Sequence, residues 1–449
     1  MMQAVNNLLP LFHPLPRYTS YPPATYWNIL NSIGYEDAIQ KIEKEPLSLY
    51  FHIPFCDKRC LFCGCLTIPL KNEKIKESYV SYLKKEIVLF RKLLRSPSEV
   101  VQIHFGGGTP TSLNFELLSS LIEFTRSQFY FVDKIEMAIE IDPRTIHCPN
   151  DLQLLRKMGF NRISLGVQDF DPQVQNSIGR IQPKELIEKV FLWARDSFFD
   201  SINIDLIYGL PFQTIASFDQ TLDTLLTMKP DRIALFSFAY VPQIRSHQNN
   251  LPIDRLPSLE EKIQIFYNAK ERLEKEGYLS IGIDHFVKIQ DSLAQAHLNQ
   301  KLTRNFQGYD LGISSSLIGF GLSAISSLKE GYFQNTKDLD FYKKSIENDR
   351  LPITQGLILS DDDKIRQWVI HKIMCGYLLD KKSFFKKFSC DFDGYFQKEI
   401  DELNKTLHSS LFINSDESFD STTLGKFFLR NLAHIFDAYQ VKSGVIASA

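Results

Sequence analysis

The sequence predicts an α/β protein: an incomplete barrel of six strand–helix units, with an N-terminal arm and a small, mainly helical C-terminal domain. Two patterns predict this fold. Between residue 47 and about residue 290, short apolar runs alternate with amphipathic stretches, as in parallel strands joined by helices. After about residue 340, helical periodicity dominates and strand signals are few. We therefore expect an arm at 1–46, a barrel domain with a C-terminal extension at 47–335, and a helical domain at 336–449.

The predicted elements follow from apolar spacing along the chain. The arm contains the segment PRYTSYPPA at 16–24, which has prolines and tyrosines but little helical character. The six barrel strands are predicted at 48–53, 100–105, 135–141, 162–167, 201–207 and 232–238. The clearest helices are predicted at 77–94, 115–124, 184–194, 218–226 and 258–277, and a further strand at 278–284. In the C-terminal domain, which could be of winged-helix type, helices are predicted at 361–378, 395–407 and 423–439.

Composition excludes several classes of protein. The net charge of −2, from 51 Lys and Arg against 53 Asp and Glu, gives no basic field for nucleic acid. No apolar run approaches the ~20 residues of a membrane span, and no secretory signal is evident. Clustered cysteines without evident disulfide partners fit a reducing compartment. We expect a cytoplasmic protein that binds neither nucleic acid nor membrane.

Four of the seven cysteines lie within ten residues, directly after the first predicted strand: Cys56, Cys60, Cys63 and Cys65. Disulfides between such close neighbours would be strained. Structural zinc usually takes two separated cysteine pairs, and the sequence has no second pair. A C-x₃-C-x₂-C run offers three thiolates to a cubane iron–sulfur cluster, so one iron keeps a free position for a small molecule.

Polar and glycine residues follow the other predicted strands, at the edge where parallel sheets bind ligands. Gly106 to Gly108 follow the second strand; they are not a phosphate loop because the Gly-Lys-Ser/Thr ending is missing. Glu140, within the third strand, costs several kcal/mol to bury unless it is paired, and a cationic partner such as a ligand ammonium would offset that cost. Asp142 and Arg144, just beyond it, could instead pair with each other.

The C-x₃-C-φ-x-C motif after a strand resembles that of the radical S-adenosylmethionine superfamily, with Cys56, Cys60 and Cys63 as ligands of one 4Fe–4S cluster. The added Gly-Cys at 64–65 resembles the oxygen-independent coproporphyrinogen III oxidases. The segments RYTSYP at 17–22, RNFQGY at 304–309 and SAIS at 323–326 are similar to signatures of the same family.

The resemblance implies two bound S-adenosylmethionine molecules and a set of residues that contact them. These residues are Tyr50, Phe62, Gly64, Gly107, Gly108, Thr109, Glu140, Gln168, Arg180, Asp205, Ala239 and Ile325. The residues with implied active-site roles are Glu140, Phe306, Gln307 and Ile325. Tyr50 could equally be a core aromatic. His52 is more often a satisfied core histidine than a functional one, and for His104 the sequence supports no role.

The implied activity is oxidative decarboxylation of two propionates of coproporphyrinogen III to vinyl groups, which gives protoporphyrinogen IX in haem biosynthesis. A 5′-deoxyadenosyl radical removes hydrogen from each propionate, and a reduced flavodoxin or ferredoxin supplies electrons. We expect a monomer. Four basic residues are candidates for binding the substrate carboxylates: Arg17, Lys58, Arg59 and Arg304.

Two alternatives remain. A haem-binding chaperone on the same barrel would share the three-cysteine motif, but such relatives usually have an aromatic residue in place of Cys65 and lack the RYTSYP segment. A structural metal-binding protein without turnover is the other. The sequence also departs from the family: Tyr240 replaces its usual histidine, and the loop after Tyr309 lacks the usual acidic residue before its glycines. These departures concern substrate contacts more than radical generation.

Overall fold

The structure is a computed structural model that describes residues 8–440 except 14, 31, 315 and 408. Residues 1–7 of the predicted arm and 441–449 of the predicted C-terminal domain lie outside the described residues. Among the residues described, no helix is both long enough and apolar enough to cross a membrane.

The strands, numbered in chain order, are β1 (Asn28–Ile29), β2 (Leu47–Ile53), β3 (Phe55–Cys56), β4 (Ile68–Pro69), β5 (Glu99–Gly107), β6 (Tyr130–Ile141), β7 (Arg162–Gln168), β8 (Ser201–Tyr208), β9 (Arg232–Ser237), β10 (Tyr278–Ile281), β11 (His285–Lys288), β12 (Thr303–Asn305), β13 (Gly308–Asp310), β14 (Ser316–Phe320), β15 (Ile325–Leu328), β16 (Gly331–Asn335), β17 (Ile353–Ile358), β18 (Leu379–Asp380), β19 (Phe412–Asn414) and β20 (Ser418–Ser421). The helices are α1 (Ser32–Gln40), α2 (Glu73–Leu93), α3 (Phe115–Gln128), α4 (Pro149–Met158), α5 (Pro172–Ser177), α6 (Lys184–Asp196), α7 (Ile215–Met228), α8 (Leu259–Lys275), α9 (Ser292–Leu298), α10 (Leu339–Glu347), α11 (Asp361–Met374), α12 (Lys381–Phe388), α13 (Phe392–Tyr395), α14 (Gln397–Thr406) and α15 (Leu429–Ile435).

The chain forms two compact units, each built from separate segments. The first unit comprises Met1–Trp27, Lys270–Gly312 and Leu359–Ala449, and the second comprises Asn28–Ala269 and Ile313–Ile358. The predicted boundary between arm and barrel, at 46/47, falls inside the second unit, as does the boundary at 335/336. The predicted three-part division therefore stays a prediction.

The second unit is built on six parallel strands in sequential order, β2-β5-β6-β7-β8-β9. All six predicted barrel strands are present, and the helices α2, α3, α4, α6 and α7 connect them. In the described part of the chain β9 does not pair with β2, so the array stays open as an incomplete (β/α)₆ arrangement. The predicted fold class is confirmed. Because the strands are parallel, their carboxyl ends all lie at one edge of the sheet.

Five further strands extend this sheet beyond β2, in the order β14, β15, β16, β17 and β1. β14 runs parallel to β2, and Gly319 of β14 lies opposite Tyr50. The sequence had indicated that 304–309 and 322–326 are non-periodic segments outside the core. Both lie outside the six parallel strands, and both contain strand residues: Thr303–Asn305 forms β12, and Ile325 begins β15. Pairing between strands far apart in sequence stabilises short segments that have no periodicity of their own.

The helices of the second unit are amphipathic, and α2 shows why they form. Its apolar residues at three- and four-residue spacing, such as Leu83, Ile87 and Phe90, are fully buried. Asn72 caps the helix by accepting a hydrogen bond from the backbone N–H of Lys74 at 3.1 Å. The buried face covers one side of the sheet, so the strand ends are held on a packed scaffold.

The first unit is mainly helical, with a short sheet in the order β18-β20-β19 and two hairpins, β10–β11 and β12–β13. The predicted helix at 361–378 is α11, whereas the one predicted at 423–439 is shorter and covers only α15. The predicted strand at 278–284 is the first half of the β10–β11 hairpin. Tyr18 and Tyr21 of the arm are buried in the aromatic core of this unit.

Candidate active site at the strand ends

The cysteine loop leaves the carboxyl end of β2, the central and completely buried strand of the second unit. Cys56 ends the short strand β3, which pairs with β4, and its Sγ lies 3.4 Å from Oγ1 of Thr109. Cys60 is buried, whereas Cys63 is half-buried and Cys65 is exposed. Burial raises the pKa of the Cys56 thiol to about 11, so metal binding there has to displace a proton.

Two arginines and one carboxylate surround Cys60. The guanidinium groups of Arg180 and Arg144 lie 3.5 and 3.8 Å from its Sγ. Both also bind the same oxygen of Asp142, at 3.0 Å from Arg180 and 2.6 Å from Arg144. Burial would raise the pKa of Asp142, but the two arginines hold it below its ordinary value. Asp142 and Arg144 therefore pair with each other, which is one of the two interpretations that the sequence left open, and Arg144 places positive charge beside the Cys60 thiol.

The glycine loop after β5 packs directly against the start of the cysteine loop. Gly108 donates its backbone N–H to the carbonyl of Ile53, and Thr109 donates to the carbonyl of Phe55, both at 2.8 Å. A Cβ on Gly108 would lie 2.7 Å from backbone atoms of Pro54 and Phe55. Only a residue without a side chain allows this approach.

Glu140, near the end of β6, is held by two donors. His104 donates from Nε2 to Oε1, and the backbone N–H of Gly107 donates to Oε2, both at 3.1 Å. Burial alone would raise the pKa of Glu140, but these hydrogen bonds keep it below its ordinary value. The ring of Tyr50 is buried and stacks on His104 with centroids 5.9 Å apart. A carboxylate fixed in this way is ready to accept a cationic ammonium group.

His52 is the satisfied core histidine that the sequence favoured. Its Nε2 donates to the carbonyl of Leu66 at 3.2 Å, so its Nδ1 accepts from the hydroxyl of Tyr50 at 3.0 Å. Burial lowers the pKa of His52 to about 4, so the ring is neutral at pH 7. Gly107, with a φ of 113°, lies over this ring, and a Cβ there would approach it to 2.5 Å.

Gln168, Arg180 and Asp205 line successive strand ends. Gln168 ends β7 with a φ of 71°, a left-handed conformation that is uncommon for a residue with a side chain. Its amide and the guanidinium of Arg180 both approach Cα of Gly166 closely enough that a Cβ there would lie 3.0 and 3.1 Å from them. Asp205, opposite Gly166 in the register of β7 and β8, accepts hydrogen bonds from Ser164 at 2.9 Å and from Asn203 at 2.6 Å.

The remaining candidates in the second unit lie at both ends of the parallel array. Ile325 packs its backbone against Gly319, which pairs with Tyr50. Ala239 follows β9, and Phe62 lies on the cysteine loop against an apolar cluster. Gly64 is exposed, with no atom within 4 Å of the position of a Cβ.

Phe306 and Gln307 belong to the first unit, in the turn between β12 and β13. The side-chain nitrogen of Gln307 is buried and has no hydrogen-bond partner among the residues that the structure describes. In the same unit, Arg304 is buried and its guanidinium lies 3.7 Å from Asp284, which also lies 3.6 Å from Arg17.

The donor set of the cysteine loop fits an iron–sulfur cluster. No group of three or more His, Cys, Asp or Glu side chains in the described ranges could hold a single metal ion. In a cubane, however, each cysteine binds a different iron, so the three thiols need not converge on one point. Three thiols on one loop, with two guanidinium groups beside Cys60, provide soft ligands and compensating charge.

Sequence reasoning missed His104 and the segment 245–248. His104 was assigned no role, although it shares the sheet face of Gln102 and Gly106 by strand alternation, which was the available signal. The segment 245–248 was not singled out, yet it hydrogen-bonds to the cysteine loop. No periodicity or motif marks that segment.

An open array of six parallel strands, with three cysteines after the first of them, defines the class of radical S-adenosylmethionine proteins, and residues 50–225 match the Radical SAM superfamily. The chain is 41% identical to the oxygen-independent coproporphyrinogen III oxidase of Synechocystis sp. over 95% of this chain and 92% of that protein. It is 40% identical to the Helicobacter pylori protein of the same name, over 95% of this chain and 94% of that protein. The solved coproporphyrinogen III oxidase of Escherichia coli, described as a radical SAM enzyme, is 38% identical with a TM-score of 0.91, over 94% of this chain and 97% of that chain. The chain belongs to the family of oxygen-independent coproporphyrinogen III oxidases. Membership implies a 4Fe–4S cluster and S-adenosylmethionine as cofactors, which confirms that part of the cofactor prediction.

Proposed function

We propose that this chain catalyses the oxygen-independent oxidative decarboxylation of two propionates of coproporphyrinogen III, giving protoporphyrinogen IX. The observation that carries the proposal is full-length relatedness to enzymes of that name, combined with the cysteine loop and Glu140 at one sheet edge. Nothing in the described structure or the comparisons favours the chaperone or the structural metal protein.

We further propose that Cys56, Cys60 and Cys63 bind the cluster. When bound, the cluster and S-adenosylmethionine would supply a 5′-deoxyadenosyl radical; removal of a hydrogen atom from a propionate, followed by loss of CO₂ and of one electron to an external acceptor, would leave the vinyl group. The chain's own residues then bind and orient the cofactor and the substrate. Glu140, fixed by Gly107 and His104, accepts hydrogen bonds from the amino group of S-adenosylmethionine.

The role of Arg180 and Asp142 is electrostatic in this proposal. Their ion pair, at 3.0 Å and almost fully buried, fixes the guanidinium beside Cys60. A positive charge there stabilises a thiolate ligand and offsets the negative charge of a reduced cluster. Burial also keeps water away from reactive groups at the strand ends.

We also propose the number of bound cofactor molecules, the electron donor and the cellular location. The binding of two S-adenosylmethionine molecules is supported by the presence of two groups of polar residues, one around Glu140 and one around Gln168, Arg180 and Asp205. We propose a cytoplasmic monomer that receives electrons from a reduced flavodoxin or ferredoxin. The roles of Phe306, Gln307, Ile325 and Ala239 in binding substrate or cofactor belong to the same proposal.

The test is anaerobic reconstitution with iron and sulfide, followed by reduction with S-adenosylmethionine and coproporphyrinogen III. We expect 5′-deoxyadenosine, methionine and a vinyl-bearing product by mass spectrometry. Cys60→Ser should abolish cluster absorption, whereas Cys65→Ser and the matched control Cys148→Ser should retain it. Cleavage of S-adenosylmethionine without vinyl product would contradict the proposed substrate; equal loss of the cluster in the Cys60 and Cys65 variants would contradict the ligand assignment.

A further inference from the structure

The segment 245–248 contacts the cysteine loop by hydrogen bonds to three successive backbone carbonyls. Each donor is a different side chain, and the carbonyls belong to the residues that surround the third cysteine. The bonds run from Arg245 Nε to Gly64 at 2.7 Å, from His247 Nε2 to Cys63 at 2.8 Å and from Gln248 Nε2 to Phe62 at 3.1 Å. Because a carbonyl only accepts, Nε2 of His247 carries the proton.

Of the three donor side chains, Gln248 is the one that is fully buried. Its Nε2 also donates to the carbonyl of Ala239 at 3.2 Å, and its Oε1 accepts from the backbone N–H of Val241 at 2.6 Å. Both amide protons and the amide oxygen are therefore used. One side chain thus ties the cysteine loop to the backbone that leaves β9.

The backbone of the cysteine loop makes few bonds of its own near Cys63. One runs from Cys63 N–H to the carbonyl of Cys60 at 3.2 Å, and another from Leu61 N–H to the carbonyl of Ile178 at 2.9 Å. Gly64 has open space around it and imposes no packing. Groups outside the ligand shell commonly orient metal ligands, and their loss lowers affinity or activity about 10- to 100-fold.

We propose that Arg245, His247 and Gln248 form a carbonyl clamp, a set of positioning residues that fixes the Cys63 end of the cluster-binding loop. The clamp acts through the backbone of residues 62–64. The proposal rests on the proposed function, since it takes Cys63 to be a cluster ligand.

The test compares Gln248→Leu with Gln213→Leu in the full-length, reconstituted protein. Gln213 is a matched control because its buried amide also makes three bonds, to Asp169 at 2.5 Å, to the carbonyl of Ile207 at 2.8 Å and from the N–H of Leu210 at 2.8 Å. We expect Gln248→Leu to release iron to a ferrous chelator about tenfold faster than wild type. Gln213→Leu should lower the melting temperature similarly but release iron within about twofold of the wild-type rate.

A second pair of variants keeps the test decisive if Gln248→Leu folds poorly. His247→Gln retains a hydrogen-bond donor near the position of Nε2, whereas His247→Phe retains an aromatic ring but no donor. We expect His247→Gln to match the wild-type iron-release rate and His247→Phe to exceed it about threefold. Iron release at the wild-type rate in both Gln248→Leu and His247→Phe would overturn the clamp alone. A wild-type protein that assembles no cluster would overturn both the clamp and the proposed function.

Discussion

Replacing Gly108 by alanine should separate the glycine loop from the cysteine loop. The new Cβ would lie 2.7 Å from backbone atoms of Pro54 and Phe55, where ordinary contact begins at 3.4 Å, so the two loops must move apart by about 0.7 Å. No side-chain rotation relieves this contact, because the opposing atoms are backbone. The hydrogen bonds from Gly108 to Ile53 and from Thr109 to Phe55, now 2.8 Å each, would lengthen beyond useful range.

The expected magnitude follows from these two effects. Overpacking costs about 1–3 kcal/mol, and each backbone hydrogen bond contributes about 0.5–1.5 kcal/mol. Because two such bonds are affected, we expect Gly108→Ala to lower the free energy of unfolding by about 2–6 kcal/mol. A displacement of this size near reacting groups should also slow 5′-deoxyadenosine formation about 100-fold.

The assay is thermal unfolding by circular dichroism, with 5′-deoxyadenosine formation measured on the same reconstituted samples. Gly34→Ala is the control. Gly34 lies in α1, where the nearest atom to a new Cβ is 3.8 Å away, so alanine should stabilise the helix by about 0.5–1 kcal/mol. A Gly108→Ala protein with wild-type melting temperature and wild-type cofactor cleavage would refute the close-packing argument.

Three further predictions concern charged groups. Burial raises the pKa of Glu86 to about 7, so between pH 4.5 and 7 the unfolded state loses a proton that the folded state keeps, and the wild type should lose up to about 3 kcal/mol of stability; denaturation of Glu86→Gln across that range should lack this loss. Asp284→Asn leaves the buried Arg304 without its carboxylate and should destabilise the protein by about 3–5 kcal/mol, measured by urea unfolding. Arg180→Lys keeps the charge but cannot contact Asp142 and the Cys60 thiol together. Because Arg180 belongs to the group of residues proposed to bind S-adenosylmethionine, the KM for that cofactor should rise about tenfold, with kcat and KM fitted separately. An unchanged KM would contradict the binding role of Arg180.

The sequence predicted the barrel strands because each is an apolar run with clear ends, as β2 and β8 illustrate. It did not predict β14 to β17, since their stability comes from pairing with distant strands and not from local periodicity. The cysteine loop could be located from the sequence because the spacing of its three thiols is a local property of the chain.

The parts of the site that sequence reasoning could not reach depend on register and on backbone conformation. The pairing of His104 with Glu140 requires β5 and β6 in one register, which no local pattern specifies. The left-handed conformation of Gln168 is likewise set by its surroundings. Gln248 reaches the cysteine loop from about 185 residues further along the chain.

The pairing of β2 with β14 has a consequence for synthesis on the ribosome. One edge of β2 pairs with β5, which follows closely in the sequence. The other edge pairs with Ser316–Phe320, which is synthesised more than 260 residues after β2 ends. At a translation rate of about 5–20 residues per second, this edge of the apolar strand β2 stays unpaired in the nascent chain for roughly 13–50 seconds. An edge left open for that long invites pairing with other chains. Efficient production of this protein should therefore depend on chaperones that bind early, and truncation before residue 316 should give aggregates.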